Sequence, residues 1–367
     1  MPRPPTKKPS LATVALRVGV STATVSNTFG RPDLVSDRLR AKVLAEAARQ
    51  GYAGPDPAAR QLSRGGRTDT LGLLLTGELP HAFRDPAAVA FLQGLSTCCA
   101  EAGLNLLLIS AAASGTRSGV IGNAVVDGFI VYSVGDDDPY FRQILDRRLP
   151  TVVVDAPHEV GTADWVGPDD RAGARAMAQV LIELGHRRVG VLTAGMRRTP
   201  YSGAAERRIE GADAVNRNRI NGIRDALLSV GADGPAIEEG AENTEAAGAQ
   251  ALHAILDRRP DLTAVCSLMD VMALGALKAA AERGLSVPRD LTITGYDDIP
   301  EAAVAGLTTV SQPLVDKGRI AGELYLSHRA GAAPRRRTLP THVRARTSSG
   351  PPGIAAVRPV APAGSQP

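Results

Sequence analysis

The first apolar positions recur as Leu11, Val14, Ala15 and Val18, the i, i+3, i+4, i+7 spacing of one helix face. Gly19 breaks the pattern, and glycine supplies the positive φ that a tight inter-helix turn needs. Ser21 is placed to N-cap a second helix by accepting an amide of its first turn. That helix carries Thr22, Ala23, Thr24, Ser26, Asn27 and Thr28, with Val25 as its one clear apolar anchor. A third stripe of Leu39, Val43, Leu44 and Ala47 predicts a helix over 37–50 that ends at Gly51. Residues 1–50 therefore form a three-helix head. A helix that buries little and displays small hydrogen-bonding side chains suits a DNA groove.

From residue 70 the pattern changes. Short apolar runs predict buried strands at 71–75, 104–110, 128–132 and 151–155, then at 188–193, 236–239, 264–267 and 292–296. Helical stripes lie between them at 87–103, 140–147, 171–185, 219–231, 246–258 and 271–284, with a further short helix near 119–124. Such alternation defines an α/β fold of doubly wound parallel sheets covered on both faces. The two series read as two copies of one plan. One lobe takes in 69–168 plus 311–333, including a helix over 315–330, and the other 169–310 plus 334–346. Lobes of this kind leave a cleft at their strand C-termini, where small polar ligands bind.

Between head and body, 51–66 changes composition. Asp56 and Pro57 are placed to start a short helix that Gly65-Gly66 stops. A helix this short is unstable alone and forms when a partner copy or a DNA groove packs on it. The first nine residues and the Pro-, Gly- and Ala-rich tail from 347 to 367 are expected to be disordered.

Composition adds three restrictions. At 3% aromatic and 44% hydrophobic, the cores must be built from Ala, Val, Leu and Ile. The net charge of +4 is uneven: residues 1–66 hold 11 Lys/Arg against 4 Asp/Glu, a net +7, which leaves −3 for the rest. A basic head on a mildly acidic body points to a polyanion met by the head alone, or else to a solvated basic tail. Cys98, Cys99 and Cys266 form no C-x-x-C and join no His cluster, so neither a metal nor a cofactor is expected. No apolar segment follows the basic N-terminus and no run of about 18 apolar residues occurs, so a cytoplasmic protein without a membrane span is expected. Catalysis is not expected either, for lack of a dinucleotide fingerprint, a P-loop, a nucleophile elbow or a histidine pair.

Six motifs, in order, resemble those of the LacI/GalR (lactose-repressor) family. They are VALRVGVSTATVSN at 14–27, Gly185-His186-Arg187-Arg188, Asp270-Val271-Met272-Ala273-Leu274-Gly275, Gly295-Tyr296-Asp297-Asp298, Leu307-Thr308-Thr309-Val310, and Gln312-Pro313. The resemblance spans about 9–346. It implies a helix-turn-helix head on a two-lobed, periplasmic-binding-protein-like body. It also implies a homodimer on a pseudo-palindromic double-stranded DNA operator and a sugar-like or nucleoside-like effector in the cleft. Thr22, Ala23 and Asn27 fall where the family reads base edges, and Ser21, Thr24 and Ser26 where it holds phosphates. Ala59 and Leu62 fall on its minor-groove hinge helix. Arg219, followed by Gly222, falls on its effector-binding arginine, and Asp297 on the carboxylate that accepts effector hydroxyls. Asp170 and Asp270 complete the expected cleft. Trp165 lies near it, placed either to stack on a ligand or to pack at the lobe boundary. Four positions depart from the family pattern: Asn27 replaces a frequent Arg, Ile223 an aromatic, and Asp170 and Met269 each an Asn. A solute-binding protein of periplasmic type and an effector-independent regulator whose body only dimerises or docks a protein partner remain the competing readings.

Overall fold

The computed structural model describes residues 9–52, 54, 67–75, 77, 79–110, 119–197, 199–328 and 330–353. Ala59 and Leu62 lie outside these described residues. The chain divides into two units, Met1–Thr68 and Asp69–Pro367.

In the first unit, α1 (Leu11–Val18), α2 (Thr22–Gly30) and α3 (Asp37–Gln50) follow the predicted spans. Ser10 and Thr13 cap α1 reciprocally, each side chain accepting the other's backbone amide. Gly19 ends α1 at φ 75°, a conformation open to glycine at little cost. Val14, Ala15, Val18, Val25, Val43 and Ala47 form the core. Leu44, expected in that core, stays exposed because the buried stripe of α3 is only Val43 and Ala47 wide.

In the second unit, the first lobe has strands β1 (Thr70–Leu75), β2 (Asn105–Ser110), β3 (Gly128–Tyr132), β4 (Thr151–Val154) and β5 (Asp164–Pro168). Its helices are α4 (Leu79–Ala82), α5 (Pro86–Glu101) and α6 (Pro139–Asp146). The second lobe begins with α7 (Asp170–Glu183), β6 (Val189–Ala194), β7 (Gly203–Ala204), α8 (Ala214–Ser229) and β8 (Ala236–Gly240). It continues through α9 (Glu245–Arg258), β9 (Ala264–Ser267), α10 (Asp270–Glu282), β10 (Thr292–Asp297), α11 (Pro300–Val304) and β11 (Thr308–Ser311). The chain then returns through α12 (Leu314–Leu326), β12 (Arg336–Leu339) and β13 (His342–Arg344). The sheet orders are β12-β5-β4-β3-β1-β2 and β13-β11-β10-β9-β6-β8-β7. Every pairing is parallel except β13 on β11 and β7 on β8.

The chain thus crosses between lobes three times, at 168–170, 311–314 and 339–342. Helix α12 packs on α5 through glycines: a Cβ on Gly94 would collide with the Val315 carbonyl, and one on Gly318 with that of Phe91.

Several expectations are corrected. Residues 334–346 do not all belong to the second lobe: β12 pairs with β5 in the first sheet, and only β13 joins the second. Strand β12 is an edge strand, and three of its four residues are exposed, so it has no apolar run to betray it. Strand β5 was also unforeseen; it is fully buried but reads DWVGP, a short run ending in Gly-Pro. Residues 119–124 form turns rather than a helix. Helix α8 starts at Ala214, not near 219, because the Asp213 carboxylate accepts the Val215 and Asn216 amides.

Residues 347–353 are not a disordered tail. Ser348 Oγ accepts the Thr308 amide at 2.8 Å and donates to the Ile293 carbonyl at 2.6 Å. The Gly350 carbonyl lies 2.8 Å from Nε2 of fully buried His186, whose Nδ1 is 2.9 Å from Thr263 Oγ1. The Gly-His pair after α7 therefore anchors the chain's return. All three cysteines are free and buried, and burial pushes the Cys99 and Cys266 thiols up to about 11. Among the described residues no helix is long and apolar enough to cross a membrane.

Candidate functional site

In the head, α2 turns Val25 and Thr28 inward and leaves Thr22 and Ala23 exposed, with Ser26 and Asn27 half-buried. Ser21 and Thr24 are tied together at the helix start. Ser21 Oγ accepts the Thr24 amide at 3.0 Å and lies 2.9 Å from Thr24 Oγ1. The Thr28 hydroxyl donates to the Thr24 carbonyl at 2.9 Å, so the hydroxyl facing the core is satisfied within the helix. Thr22 and Ala23, at the N-terminal end, are the side chains this helix offers most openly. A helix N-terminus also favours an anion such as phosphate.

In the body, the strand ends and the crossovers bring buried charges together. Arg219 Nε donates to Asp170 Oδ1 at 2.7 Å, and its Nη1 donates to the Leu268 carbonyl at 2.6 Å. The guanidinium lies 3.6 Å from the centre of the Tyr296 ring, and Nη1 is 3.8 Å from Asp297 Oδ1. Asp297 accepts Gln312 Nε2 at 2.7 Å. Gln312 Oε1 in turn accepts Lys317 Nζ at 3.0 Å, and Lys317 donates to both oxygens of Asp155 at 2.9 and 2.7 Å. The path runs from Asp155 and Lys317 of the first lobe, through Gln312 on a crossover, to Asp297, Arg219 and Asp170 of the second. Asp170 and Lys317 are each only 1% exposed.

Such burial disfavours charge. Desolvation pushes the Asp170 carboxyl up against the opposing pull of Arg219, and it pushes Asp297 well above the usual carboxylate range. Burial also works against the Arg219 charge, but Asp170, Tyr296 and Asp297 together hold its pKa above the ordinary value. Among the described residues Asp170 Oδ2 and the Tyr296 hydroxyl are buried without a hydrogen-bond partner.

Sequence reasoning placed Arg219, Asp170 and Asp297 at this site, and the structure brings the three together. Asp270 is close enough to Asp297 for the two carboxylates to repel. It is nevertheless fully buried, its oxygens accepting Thr309 Oγ1 at 2.6 Å and the Ile299 amide at 3.0 Å. Its contacts are those of a loop anchor. Trp165 is packed rather than presented for stacking. It is 2% exposed, donates Nε1 to the Asp155 carbonyl at 3.1 Å and lies under Arg336 at 4.3 Å. With Asp170, His158, Asn218 and Arg336 it borders a side cavity of about 300 Å³. Asp155, Gln312 and Lys317 were missed. Asp155 closes a predicted strand and Gln312 stands in the Gln-Pro motif, so both carried a signal; Lys317, one lysine within a helix, carried none.

A helix-turn-helix unit followed by two parallel-sheet lobes crossed three times by the chain is the architecture of a DNA-binding regulator of transcription. Residues 178–349 match the periplasmic binding protein-like domain family. The chain is 43% identical to the HTH-type transcriptional regulator Rv3575c of Mycobacterium tuberculosis, over 95% of this chain and 99% of that protein. Among solved structures it is similar to the transcriptional regulator CelR–cellobiose complex, with 29% identity and a TM-score of 0.67 over 93% of this chain and 99% of that one. The lac repressor dimer bound to operator and the anti-inducer ONPF shares the fold, with a TM-score of 0.73 and 23% identity over 94% of this chain and 100% of that one. The chain belongs to the LacI family of helix-turn-helix transcriptional regulators.

Proposed function

We propose that this protein is a homodimeric repressor that reads a pseudo-palindromic operator and is controlled by a small polar, sugar-like effector held between its lobes. The observation that carries the effector reading is the buried polar path from Asp155 to Asp170, which links the two lobes through side-chain hydrogen bonds and the Arg219–Asp297 ion pair. A ligand that inserts polar groups into this path changes which lobe arrangement is favoured. Regulation requires it to bind one arrangement better than the other, with a coupling of about 1–3 kcal/mol. The CelR relative holds cellobiose, and the lac repressor sits on its operator as a dimer. In this reading Thr22, Ala23 and Asn27 read base edges, while Ser21, Thr24 and Ser26 meet phosphates. Ala59 and Leu62 wedge the minor groove, and Arg219, Asp297 and Asp170 hold the effector.

The test is thermal unfolding of the protein against sugars, polyols and nucleosides, paired with operator selection and gel shifts at about 0.15 M salt. The expected result is at least one ligand that raises the unfolding temperature, changes operator affinity and loses both effects in Asp297→Ala. A second reading, a body that only dimerises, draws on the self-pairing of Lys317 with Asp155 and on Met269 in place of Asn. It is preferred if the full panel and Asp297→Ala both leave operator binding unchanged.

A further inference from the structure

Apart from the buried path, an ion pair at the surface joins the two lobes. Asp136 stands in the loop after β3 of the first lobe, and Arg217 on the first turn of α8 in the second. Arg217 Nη2 donates to Asp136 Oδ2 at 3.0 Å, with 32% of the arginine side chain and 43% of the aspartate side chain exposed. The loop leaves the C-terminal end of its strand, the side on which the lobes face one another. The pair therefore bridges the mouth of the cleft, away from the three crossovers.

Each partner is held by its own lobe. Asp138 caps α6 by accepting the Tyr140 amide at 2.8 Å, and its own amide donates to the Gly135 carbonyl at 3.0 Å, which closes the turn that carries Asp136. Arg217 Nη1 donates to the Ala212 carbonyl just ahead of α8. The neighbouring acid, Asp213, is taken up in capping α8, its oxygens accepting the Val215 and Asn216 amides and Asn216 Nδ2. With both ends anchored, the pair forms only when the lobes approach. Arg219 follows two residues later on α8, so one rigid helix carries both the cleft arginine and the contact at the mouth. The two links between the lobes differ in kind. Breaking the buried one strands charge away from water, whereas the pair at the mouth opens into solvent and is screened by salt.

We infer that Asp136 and Arg217 form a salt-sensitive latch across the cleft mouth: paired, they hold the lobes together before any ligand arrives, and ionic strength sets how often they part. The ratio of open to closed lobes set in this way is the starting point that any regulating ligand has to shift. The inference concerns the unliganded protein and is independent of the effector reading.

The test reads the distance between the lobes in the full-length protein by pulsed electron paramagnetic resonance. Spin labels are placed at Arg142→Cys on α6 and Arg207→Cys in the second lobe, both exposed positions, while the three native cysteines are buried. Labelled protein is diluted into unlabelled protein so that only distances within one chain are read. Asp136→Asn and Arg217→Gln, each alone, are expected to raise the ratio of open to closed lobes by about 1.5- to 5-fold, the range for exposed ion pairs. The double variant is expected to open no further than the more open single one. Raising salt from about 0.05 M to about 0.5 M is expected to open the parent and leave the double variant unchanged. Three results would each overturn the latch: single effects that multiply in the double variant, salt that opens the double variant as much as the parent, or distances that neither substitution nor salt alters.

Discussion

Gly222 on α8 lies so close to α7 that a Cβ there would collide with the Arg171 carbonyl oxygen. Arg219 sits almost one turn earlier on α8, and this close approach lets its Nε reach Asp170 Oδ1 at 2.7 Å. The spacing of Arg219 and Gly222 is therefore mechanical: the glycine sets the helix separation and the arginine uses it. Gly222→Ala should destabilise the body by about 1–3 kcal/mol through overpacking and should weaken effector binding as Arg219 is pushed from Asp170. Chemical denaturation with ligand titration checks this, and a loss below about 0.5 kcal/mol would place Gly222 with ordinary surface sites.

Lys317 and Asp155 form a buried ion pair at 2.7 Å. Lys317→Met preserves much of the side-chain volume and strands the carboxylate, so it should cost about 3–5 kcal/mol. Asp155 has φ 63°, a conformation that asparagine tolerates, which makes Asp155→Asn the suitable partner change. The double variant should lose clearly less than the sum of the two single losses, by about 1 kcal/mol or more. Additive losses in urea unfolding would show that the two side chains do not support one another.

The periodicities of α1 to α3 and the apolar runs of the central strands made the fold legible, because those elements have one face, or both, turned away from water. The edges were less legible for the same reason. Strand β12 exposes Arg336, Arg337 and Thr338, so nothing in its composition separates it from a loop, and its place beside β5 is set by backbone pairing. At the site, Asp297 was readable from the Gly-Tyr-Asp-Asp motif, and Arg219 and Asp170 from the positions that the family resemblance assigns to them. Lys317 was not, because its burial depends on α12 returning to the first lobe after a crossover. The motifs also meant more than expected: His186 and Asp270 hold chain segments in place, and their partners, Gly350 and Thr309, lie far away in sequence.

Asp270 gives the protein a pH signature. Burial raises its pKa to about 7 despite the donors from Thr309, Ile299 and Asp298. The native state therefore holds a proton that the unfolded chain releases near the ordinary carboxylate value. This group's contribution is fully present below about pH 4 and declines as pH rises toward about 7. In Asp270→Asn the amide cannot ionise, but its NH2 faces one of the donors that the carboxylate accepts, a fixed cost of about 1–3 kcal/mol. The variant should be less stable than the parent at about pH 5, and the gap should narrow by about pH 8. Unfolding free energies at the two pH values decide the matter; a gap that stays constant or widens would mean that Asp270 is already ionised at the lower pH.

Asn27 is the position on α2 where operator choice should differ from that of relatives carrying arginine. Its neighbours Val25 and Thr28 fix the helix on the head's core, which leaves Asn27 half-buried beside the exposed Thr22 and Ala23. An asparagine amide matches the N6/N7 edge of adenine in two hydrogen bonds, whereas an arginine fork matches O6/N7 of guanine. Asn27→Arg should therefore move the preferred base at one symmetric pair of operator positions from adenine to guanine. Asn27→Ala should lose about 1–3 kcal/mol of discrimination there while keeping nonspecific affinity, since phosphate contacts carry no sequence information. Selection from a randomised palindromic library, run in parallel for the parent and both variants, reads this directly. Identical selected operators for all three would remove Asn27 from the base-reading set and leave Thr22 and Ala23 as the side chains that specify sequence.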